Sequence, residues 1–315
     1  MTECFVGIDT SNYTTSAAVC TVDGHILANI KAPLPVKNGE CGLRQSDAVF
    51  AHVKNMPAVM EQLRAVLGGC RVLAVGCSVR PRNLEDSYMP CFLAGRAAAE
   101  SFAAALQVPV LEFSHQDGHV MAAAYSSGQS EQLLQRYFAA FHVSGGTTDV
   151  LHVTPQKDGF CIKQIGGTED LNAGQAIDRV GVMMGLQFPC GREMEALTAN
   201  CSAHLPKPHI CVRELRCNLS GLQNLAQKLW EETRDTAIVS AFVFSFVGQT
   251  LKTMTDQLDS QYPGIPVVYA GGVMSNRGLQ QLLGKRTNTY FAEPAFSADN
   301  AAGIALLCRR TFLND

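Results

Sequence analysis

The sequence predicts an α/β protein built from two lobes of similar design. Short apolar segments rich in small and β-branched residues alternate with segments of helical periodicity. Strand–turn–strand meanders occur twice, at residues 4–32 and at residues 137–167, and each has a polar turn. A chain of 315 residues is long enough for two cores. Because no stretch rich in Pro, Gly and Ser divides the halves, we expect two tightly apposed lobes.

The pattern assigns the elements in chain order. In the first half it predicts strands at 4–9, 16–22 and 25–32, a helix at 46–67, a strand at 71–79, a helix at 92–107 and a strand at 109–113. In the second half it predicts a second meander at 137–155 and 159–167, helices at 172–186 and 222–258, a buried strand at 267–273 and a closing helix at 298–312. Duplicated α/β lobes of this kind suit a nucleotide held between them.

Composition excludes several classes of protein. Apolar residues make up 47% of the chain and charged residues 17%, which is a globular profile. The net charge of −3 gives no broad attraction to nucleic acid or membrane, so any such contact would be local or shared with a partner. We expect neither a signal peptide nor a membrane span. The twelve cysteines are scattered without a CxxC pair, which is typical of reduced thiols and predicts a cytoplasmic protein.

The segment His115-Gln-Asp-Gly-His119 predicts a metal site. Two imidazoles four residues apart share one face of a helix and can bind one ion, such as zinc or iron. Gln116 stands where a zinc protease has its catalytic Glu, so peptidase activity is not expected. Asp299, before the closing helix, would complete a set of two histidines and one carboxylate. The alternatives are an ordinary surface helix for the histidines and a helix-capping role for Asp299.

Two glycine segments predict a nucleotide site. Residues 142–149 (HVSGGTTD) and 270–276 (AGGVMSN) each place consecutive glycines after an apolar strand, where phosphates can approach backbone N–H groups. Asn276 could contact a ribose or base, and Asp178 could accept hydrogen bonds from ribose hydroxyls. The alternatives are a hairpin turn, a strand-to-helix turn and an exposed helical acid.

Together these segments resemble the threonylcarbamoyltransferase (TsaD/Kae) family, which has the actin, sugar kinase and Hsp70-like fold. The matching segments occur in the family's order across nearly the whole chain and are GIDTS, HQDGH, HVSGG, DLNAGQAIDR with FPCGRE, NLSGL, AGGVMSN and ADNAAGIA. The resemblance implies two duplicated lobes around a nucleotide cleft. We expect the first lobe at 1–108, completed by a helix at 297–315, and the second at 109–296, with the nucleotide and metal sites at the cleft.

The resemblance also implies roles for individual residues. The metal ligands would be His115, His119 and Asp299. The residues that line the nucleotide would be His142, Val143, Ser144, Gly145 and Gly146 at the phosphates, and Asp178, Gly191 and Asn276 at the ribose and base. The cofactor would be one divalent metal, iron or zinc, and the substrate an adenine nucleotide or threonylcarbamoyl-AMP. In the family, the threonylcarbamoyl group passes to N6 of adenosine 37 in tRNA, and AMP leaves. Implied partners are tRNA, a smaller paralogous subunit and an ATPase subunit.

The chain departs from the family at its acceptor end. Bacterial members read ETSCDET at the first turn, whereas this chain reads DTSNYTT, so Tyr13 and Thr14 replace two acids. Asp9 and Thr14 are therefore the candidate catalytic residues that remain at this turn.

A further departure concerns a glycine-rich stretch of the family. A longer basic segment that carries Arg80, Arg82 and Arg96 replaces the stretch. We expect a divergent paralogue that is a metal-dependent carbamoyl transferase. The alternatives are a transferase with a different acceptor, for which these arginines are the predicted location, and a non-catalytic nucleotide-binding scaffold. The arginines could also be solvated surface.

Overall fold

The structure is a computed structural model that describes residues 1–11, 13–35 and 43–314. It divides the chain into two compact units. The first unit comprises Met1–Gln132, Thr154–Cys161 and Ala295–Asp315, and the second comprises Leu133–Val153 and Ile162–Pro294. Each unit has its own sheet and its own hydrophobic core.

The sheet of the first unit has five strands within the described residues. They are β1 (Thr2–Thr10), β2 (Thr14–Thr21), β3 (Ile26–Pro33), β4 (Cys70–Arg80) and β5 (Val110–Ser114). Their order across the sheet is β3-β2-β1-β4-β5. The hairpin strands β1, β2 and β3 pair antiparallel, while β4 runs parallel to both β1 and β5. The carboxyl end of β1, where Asp9 lies, is therefore beside the β1–β2 turn.

In the second unit, the part of the chain that the structure describes forms a seven-stranded sheet. Its strands are β6 (Phe138–Val143), β7 (Thr148–Gln156), β8 (Gly159–Thr168), β9 (Cys211–Arg213), β10 (Arg216–Asn218), β11 (Val267–Ala270) and β12 (Thr289–Phe291). Their order is β12-β11-β6-β7-β8-β10-β9. The segment β8-β7-β6-β11-β12 repeats the order and strand directions of the first sheet, because β6 pairs antiparallel with β7 and parallel with β11. The predicted duplication is therefore present in the topology.

Helices connect and cover these strands. They are α1 (Gln45–Leu67), α2 (Phe92–Leu106), α3 (His115–Ser126), α4 (Ser130–Leu133), α5 (Ala173–Met183), α6 (Gly191–Thr198), α7 (Ser220–Thr233), α8 (Thr236–Gln261), α9 (Arg277–Leu283), α10 (Pro294–Ser297) and α11 (Ala302–Leu313), with a 3₁₀ turn at Gly272–Ser275. Apolar side chains of β1, β2 and β4 form the first core with α1 and α2.

The boundary between the units lies elsewhere than predicted. Residues 109–132 belong to the first unit and not to the second, because β5 pairs with β4 and α3 packs against α11. The chain returns to the first unit at Ala295, whereas a helix at 297–315 was predicted to complete the first lobe. As a consequence, the two histidines of HQDGH lie in the first unit, whereas the second was predicted.

The long helix predicted at 222–258 is two helices. The backbone of Arg234 is left-handed (φ 50°), which ends α7, and the Asp235 carboxylate accepts hydrogen bonds from the N–H groups of Ala237 and Ile238, which caps α8. Of the helices described, α8 has a length and hydropathy that would allow it to cross a membrane, but 67% of its apolar window is buried within the protein. It is a core helix of the second unit.

Candidate metal centre and nucleotide loop

Helix α3 begins at His115 because a capping box precedes it. The Ser114 hydroxyl accepts from the N–H of Asp117 at 3.1 Å, and the Asp117 carboxylate accepts from the N–H of Ser114 at 3.2 Å and from its hydroxyl at 2.8 Å. Such a cap stabilises a helix by about 1 kcal/mol. It fixes the first turn, so that His115 and His119 lie on one helical face as the spacing predicts.

Three potential ligands of the first unit converge at this face. The Nε2 atoms of His115 and His119 are 2.9 Å apart, and Oδ1 of Asp299 lies 3.7 Å from the first and 3.3 Å from the second. One ligand atom from each residue lies within 4.8 Å of the other two. The structure therefore brings together the three side chains that the sequence analysis selected as metal ligands.

A fourth side chain orients the first histidine. Oδ1 of the fully buried Asp9 is 2.8 Å from Nδ1 of His115, and its Oδ2 has no hydrogen-bond partner among the described residues. An ionised carboxylate only accepts, so Nδ1 carries the proton and Nε2 faces His119 and Asp299. Burial alone would lower the pKa of His115, but the charges and hydrogen bonds of Asp9 and Asp299 outweigh it and raise the pKa to about 10. The carboxylates of Asp9 and Asp299 therefore stabilise a positive charge at His115.

Asp299 does not cap the last helix, which was the alternative considered for it. The N–H of Ala302 donates instead to Oδ1 of Asn300 at 3.0 Å. Asp299 Oδ2 accepts a hydrogen bond from the Ser11 hydroxyl at 2.9 Å, which leaves Oδ1 toward the histidines. Burial would raise the pKa of Asp299, but the two imidazoles lower it well below its usual range. Ser11 belongs to the GIDTS segment but was not among the predicted site residues.

Three glycines bring the backbones of these segments together. A Cβ on Gly303 of α11 would collide with the carbonyl oxygen of Gly118 on α3, and a Cβ on Gly118 would lie 2.9 Å from Ile304. A Cβ on Gly7 of β1 would lie 2.6 Å from the carbonyl oxygen of Ala301. Because these positions lack side chains, α11 packs closely on both α3 and β1. The glycines of HQDGH, GIDTS and ADNAAGIA thus assemble the cluster.

The cluster fits a divalent metal. Two imidazole nitrogens and a carboxylate oxygen form the donor set typical of iron and zinc sites. A carboxylate that binds the far nitrogen of a ligating histidine is the usual support of such a ligand, and Asp9 has this position. The side chains of both histidines are 19% exposed and that of Asp299 is 22% exposed, so the site opens to solvent on one side.

In the second unit, residues 144–147 form a tight turn between β6 and β7. The N–H of Ser144 donates to the carbonyl of Thr147 at 2.7 Å, and the Ser144 hydroxyl accepts from the N–H groups of Gly146 and Thr147. A Cβ on Gly145 or Gly146 would meet nothing within 4 Å. The hairpin turn considered in the sequence analysis is therefore present, and its glycines also leave room for another molecule.

The turn is packed against the N-terminus of α5. The N–H of Ala173 donates to the Thr148 hydroxyl at 2.9 Å, and that of Gly174 donates to the Ser144 carbonyl at 3.1 Å. A Cβ on Gly174 would lie only 2.6 Å from the backbone nitrogen of Gly145. The positive end of the α5 dipole therefore lies at the glycine turn, which is an arrangement that suits phosphate.

The residues predicted to contact the ribose and base, Asp178, Gly191 and Asn276, lie at or contact the starts of helices in the second unit. Oδ1 of Asp178 accepts from the N–H of Cys190 at 2.8 Å, directly before Gly191 begins α6. Burial raises the pKa of Asp178, while that hydrogen bond lowers it. Oδ1 of Asn276 accepts from the N–H of Leu279 at 2.9 Å and caps α9.

Two residues at the end of β6 complete the predicted nucleotide set. Val143 is fully buried and His142 is partly exposed. In the sheet register, His142 lies beside Asp149 on one neighbouring strand and beside Ala270 on the other. The backbone of Gly271, with a φ of 101°, approaches the carbonyl group of Val143 so closely that a Cβ would collide with it. The ends of β6 and β11 therefore lie side by side at the glycine turn.

The turn region between β1 and β2 carries Tyr13 and Thr14, where the resemblance to the family led us to expect two acids. Tyr13 is 45% exposed, and its carbonyl accepts from the N–H of Leu34 at 2.8 Å. Thr14 is 9% exposed and begins β2, where it pairs with Pro33. The hydrogen bonds described for the histidine cluster include Asp9 but none to Thr14. The catalytic role of Thr14 stays a prediction.

The three arginines of the basic segment differ in their contacts. Nε of Arg96 is 3.0 Å from Glu100 and its Nη2 is 2.7 Å from Glu112, so two acids neutralise its charge. Nε of Arg80 donates to Asn83 at 3.1 Å, and the N–H of Arg82 donates to the Ser87 hydroxyl at 2.9 Å.

The basic segment is also tied to the helix that carries the histidines. The amide of Asn83 donates to Oδ2 of Asp117 at 2.7 Å, and the N–H of Gln116 donates to the carbonyl of Pro81 at 3.0 Å. The segment that replaces the family's glycine-rich stretch therefore supports the first turn of α3, next to His115.

Comparisons with known proteins identify the family of the chain. Residues 88–306 match the family TsaD, tRNA N6-adenosine threonylcarbamoyltransferase. The tRNA N6-adenosine threonylcarbamoyltransferase of Streptococcus suis (strain 05ZYH33) is 30% identical over 96% of this chain and 90% of its own length. The chain belongs to this family. The enzyme of the same name from Streptococcus pneumoniae serotype 2 (strain D39) is also 30% identical, over 95% of this chain and 90% of its own.

Solved structures confirm the predicted fold. Full-length HypF in its phosphate- and nucleotide-bound form matches with a TM-score of 0.59 and 13% identity. The match covers 99% of this chain, which spans about half of HypF (46%). A ROK family glucokinase from Streptomyces griseus, in complex with glucose and AMPPNP, matches with a TM-score of 0.51 and 13% identity over 97% of this chain and 98% of its own. The protein has the actin, sugar kinase and Hsp70-like fold.

Proposed function

We propose that this protein is a transferase that passes a threonylcarbamoyl group from an adenylate to the N6 amine of a tRNA adenosine. The observation that carries the proposal is the cluster of His115, His119 and Asp299, supported by Asp9, in a chain of the threonylcarbamoyltransferase family. A non-catalytic scaffold would have no need of a supported three-ligand set, so the cluster favours an enzyme.

The metal would be a divalent cation, iron or zinc, bound by His115, His119 and Asp299. When bound, such an ion polarises a carbonyl group and fixes its orientation. Asp9 would hold the proton on Nδ1 of His115, so that its Nε2 stays available as a ligand. Ser11 would hold Oδ2 of Asp299, so that its Oδ1 stays available.

The adenylate would use the glycine turn of the second unit. Ser144, Gly145 and Gly146 would line the phosphate. The N–H groups of Ser144 and Gly146 donate within the turn, so the phosphate would use the N–H of Gly145 and the positive end of α5. His142 and Val143 would border the same site at the end of β6. Asp178, Gly191 and Asn276 would line the ribose and base, with the oxygen of Asp178 that Cys190 does not occupy facing the hydroxyls.

The reaction forms one bond between the acceptor nitrogen and the carbamoyl carbon and breaks the bond from that carbon to the phosphate oxygen, so AMP leaves. The amine also loses a proton. Tyr13 and Thr14 carry hydroxyl groups where bacterial members of the family have carboxylates, and a hydroxyl is a weaker general base than a carboxylate. Asp9 is the acid that the first turn retains, and its Oδ2 has no hydrogen-bond partner in the described structure. Because Asp9 is fully buried and holds His115, its proposed catalytic role is to support that histidine, with Thr14 at most orienting the acceptor. The proton of the amine would pass to the phosphate of the leaving AMP.

The proposed partners follow from the family. They are tRNA, a smaller paralogous subunit and an ATPase subunit. Since the net charge of the chain is −3, tRNA binding would rest on local groups such as Arg80 and Arg82 or on a partner's surface. Arg96 is a poor candidate because Glu100 and Glu112 neutralise it.

Complementation tests this function. A bacterial strain depleted of its own threonylcarbamoyltransferase would express either the wild-type chain or His119→Ala, and mass spectrometry of tRNA nucleosides would measure threonylcarbamoyladenosine. We expect the wild type to restore the modification and His119→Ala to leave it at the depleted level. The matched control is His25→Ala, because His25 is an exposed histidine of the same unit outside the cluster.

Two results would contradict the proposal. Equal rescue by wild type and His119→Ala would show that the cluster takes no part in the reaction. A well-expressed, metal-loaded wild type that leaves tRNA unmodified, even with the partner subunits of its own source, would show that the replacement of the first-turn acids changed the acceptor.

A further inference from the structure

His52 on α1 is a fully buried histidine that the proposed reaction does not use. Its Nε2 is 2.7 Å from the carbonyl oxygen of Ser11, and its Nδ1 is 2.8 Å from the Thr15 hydroxyl. Both partners belong to the turn region between β1 and β2, more than thirty residues away in sequence. The imidazole therefore links the helix to both sides of this turn.

The partners fix the protonation state of His52. A carbonyl oxygen only accepts, so Nε2 carries the hydrogen and donates it to Ser11. Nδ1 is then the acceptor of the Thr15 hydroxyl hydrogen. Burial lowers the pKa of His52, although the hydrogen bond to Ser11 and the charge of Asp9 oppose this effect. The neutral ring is a rigid spacer with one donor and one acceptor, both of them used.

Ser11 connects this imidazole to the candidate metal centre. Its carbonyl accepts from His52, and its hydroxyl donates to Oδ2 of Asp299 at 2.9 Å. We propose that His52 is a positioning residue for the metal ligand Asp299: it fixes Ser11, whose hydroxyl turns Oδ1 of the carboxylate toward His115 and His119. This inference rests on the metal site in the proposed function.

The geometry distinguishes positioning from simple packing. Any buried imidazole needs hydrogen-bond partners for its ring nitrogens. What points to positioning is that the Nε2 bond leads to Ser11, whose hydroxyl binds the potential ligand Asp299. Asn55, one turn further along α1, donates to the Thr15 hydroxyl at 3.4 Å and to the Ala32 carbonyl at 3.3 Å, on the side of the network away from Ser11. Loss of the Asn55 side chain should therefore disturb the turn less.

Co²⁺ is a suitable probe, because its visible spectrum reports the ligand geometry. We would measure Co²⁺ affinity by competition with a chelator, together with thermal unfolding, for wild type, Ser11→Ala, His52→Asn, His52→Gln and the double variant of Ser11→Ala with His52→Asn. The amide nitrogen of Gln can take the place of Nε2 and reach the Ser11 carbonyl, whereas the shorter Asn takes the place of Nδ1 and cannot. Val59→Ala is the control, since Val59 is a fully buried core residue on the same helix.

We expect Ser11→Ala and His52→Asn each to weaken Co²⁺ binding about tenfold and to change its spectrum, as the loss of a supporting group does in metal sites. The double variant of Ser11→Ala with His52→Asn should bind Co²⁺ no more weakly than whichever single variant has the lower affinity. His52→Gln should bind Co²⁺ with an affinity close to that of the wild type. Val59→Ala should lower the unfolding temperature and leave affinity unchanged.

Three results would overturn the inference. A folded His52→Asn with wild-type affinity would show that His52 has no effect on the ligand, and equal losses in His52→Asn and His52→Gln would show that the donor at Nε2 is not what matters. Absence of Co²⁺ binding by the wild type would remove the metal site itself and with it the proposed function, a failure distinct from the other two.

Discussion

The two candidate sites differ in what they are made of. In the first unit, the cluster is formed by side chains, and further side chains support two of its three potential ligands: Asp9 supports His115 and Ser11 supports Asp299. In the second unit, the glycine turn presents backbone groups, and the nearby polar side chains of Asp178 and Asn276 hold the ends of helices.

This difference has consequences for substitution. In the first unit, we expect removal of a ligand side chain to act mainly on metal binding, because its described polar contacts are to other members of the cluster and to the side chains that support them. In the second unit, removal of a polar side chain loosens the structure, whereas an added side chain on an open glycine blocks the ligand and leaves the fold intact. Four predictions test the contrast.

The largest effect is expected for the metal ligands. Purified wild-type protein should hold about one divalent metal per chain, and His119→Ala should lower metal affinity by more than about 100-fold, since the loss of a merely supporting group already costs about 10- to 100-fold. Elemental analysis after gel filtration measures the metal, with His25→Ala as the control. Near-zero metal in both wild type and His119→Ala would remove the metal site.

The next effect concerns stability in the second unit. Gly174→Ala places a Cβ only 2.6 Å from the backbone nitrogen of Gly145, which is closer than normal van der Waals contact. Crowding of this kind lowers the free energy of unfolding by about 1–3 kcal/mol, which denaturant unfolding would measure. An unchanged unfolding midpoint would mean that the turn can move away from α5, and the proposed phosphate site would lose its rigid backing.

Unlike Gly174→Ala, which should lower stability, Gly145→Val should weaken nucleotide binding and leave stability nearly unchanged. Its Cβ meets nothing within 4 Å, so stability should change by less than about 0.5 kcal/mol. The affinity for AMP or ATP should fall at least about tenfold, which corresponds to about 1.4 kcal/mol of binding free energy, because the side chain lies where phosphate would approach. Calorimetry with metal present would measure this affinity. Gly69→Val, at an equally open glycine of the first unit, is the control. Wild-type affinity in Gly145→Val would exclude this turn as the phosphate site.

The smallest effect is expected for Asp170, a structural acid of the second unit. Its carboxylate accepts from the N–H groups of Leu171, Leu219 and Ser220 and so holds the start of α7. Burial would raise its pKa, but the hydrogen bonds from Ser220 and from these backbone groups lower it from 3.8 to about 2.

The sign of the pH effect follows from this shift. A lowered pKa means that the stabilisation is present above about pH 4 and is lost as the pH falls through about 2. The difference in unfolding midpoint between wild type and Asp170→Asn should therefore shrink over that range. A difference that is independent of pH would show that the charge of Asp170 does not contribute.

Local patterns predicted much of the fold but not its breaks. Strand and helix periodicity identified both meanders and the closing helix, because these signals lie within a few residues. The break at Arg234 was missed, although the polar residues 231–236 (EETRDT) interrupt the apolar periodicity there. The cap formed by Asp235 shows where α8 begins. The boundary after residue 108 was misplaced because the pairing of β5 with β4 and the packing of α3 on α11 join distant segments.

The sequence by itself determined which residues could form a donor set, because the spacing of His115 and His119 places them on one helical face whatever surrounds them. It also determined the family and the duplication, through the order of short segments. The tertiary structure decided which alternative each residue took: Asn300 accepts from the first N–H group of α11, at Ala302, while Asp299 joins the cluster. It alone revealed the contact from Ser11 to Asp299, 288 residues away, because such contacts depend on glycine-mediated packing that leaves no local pattern.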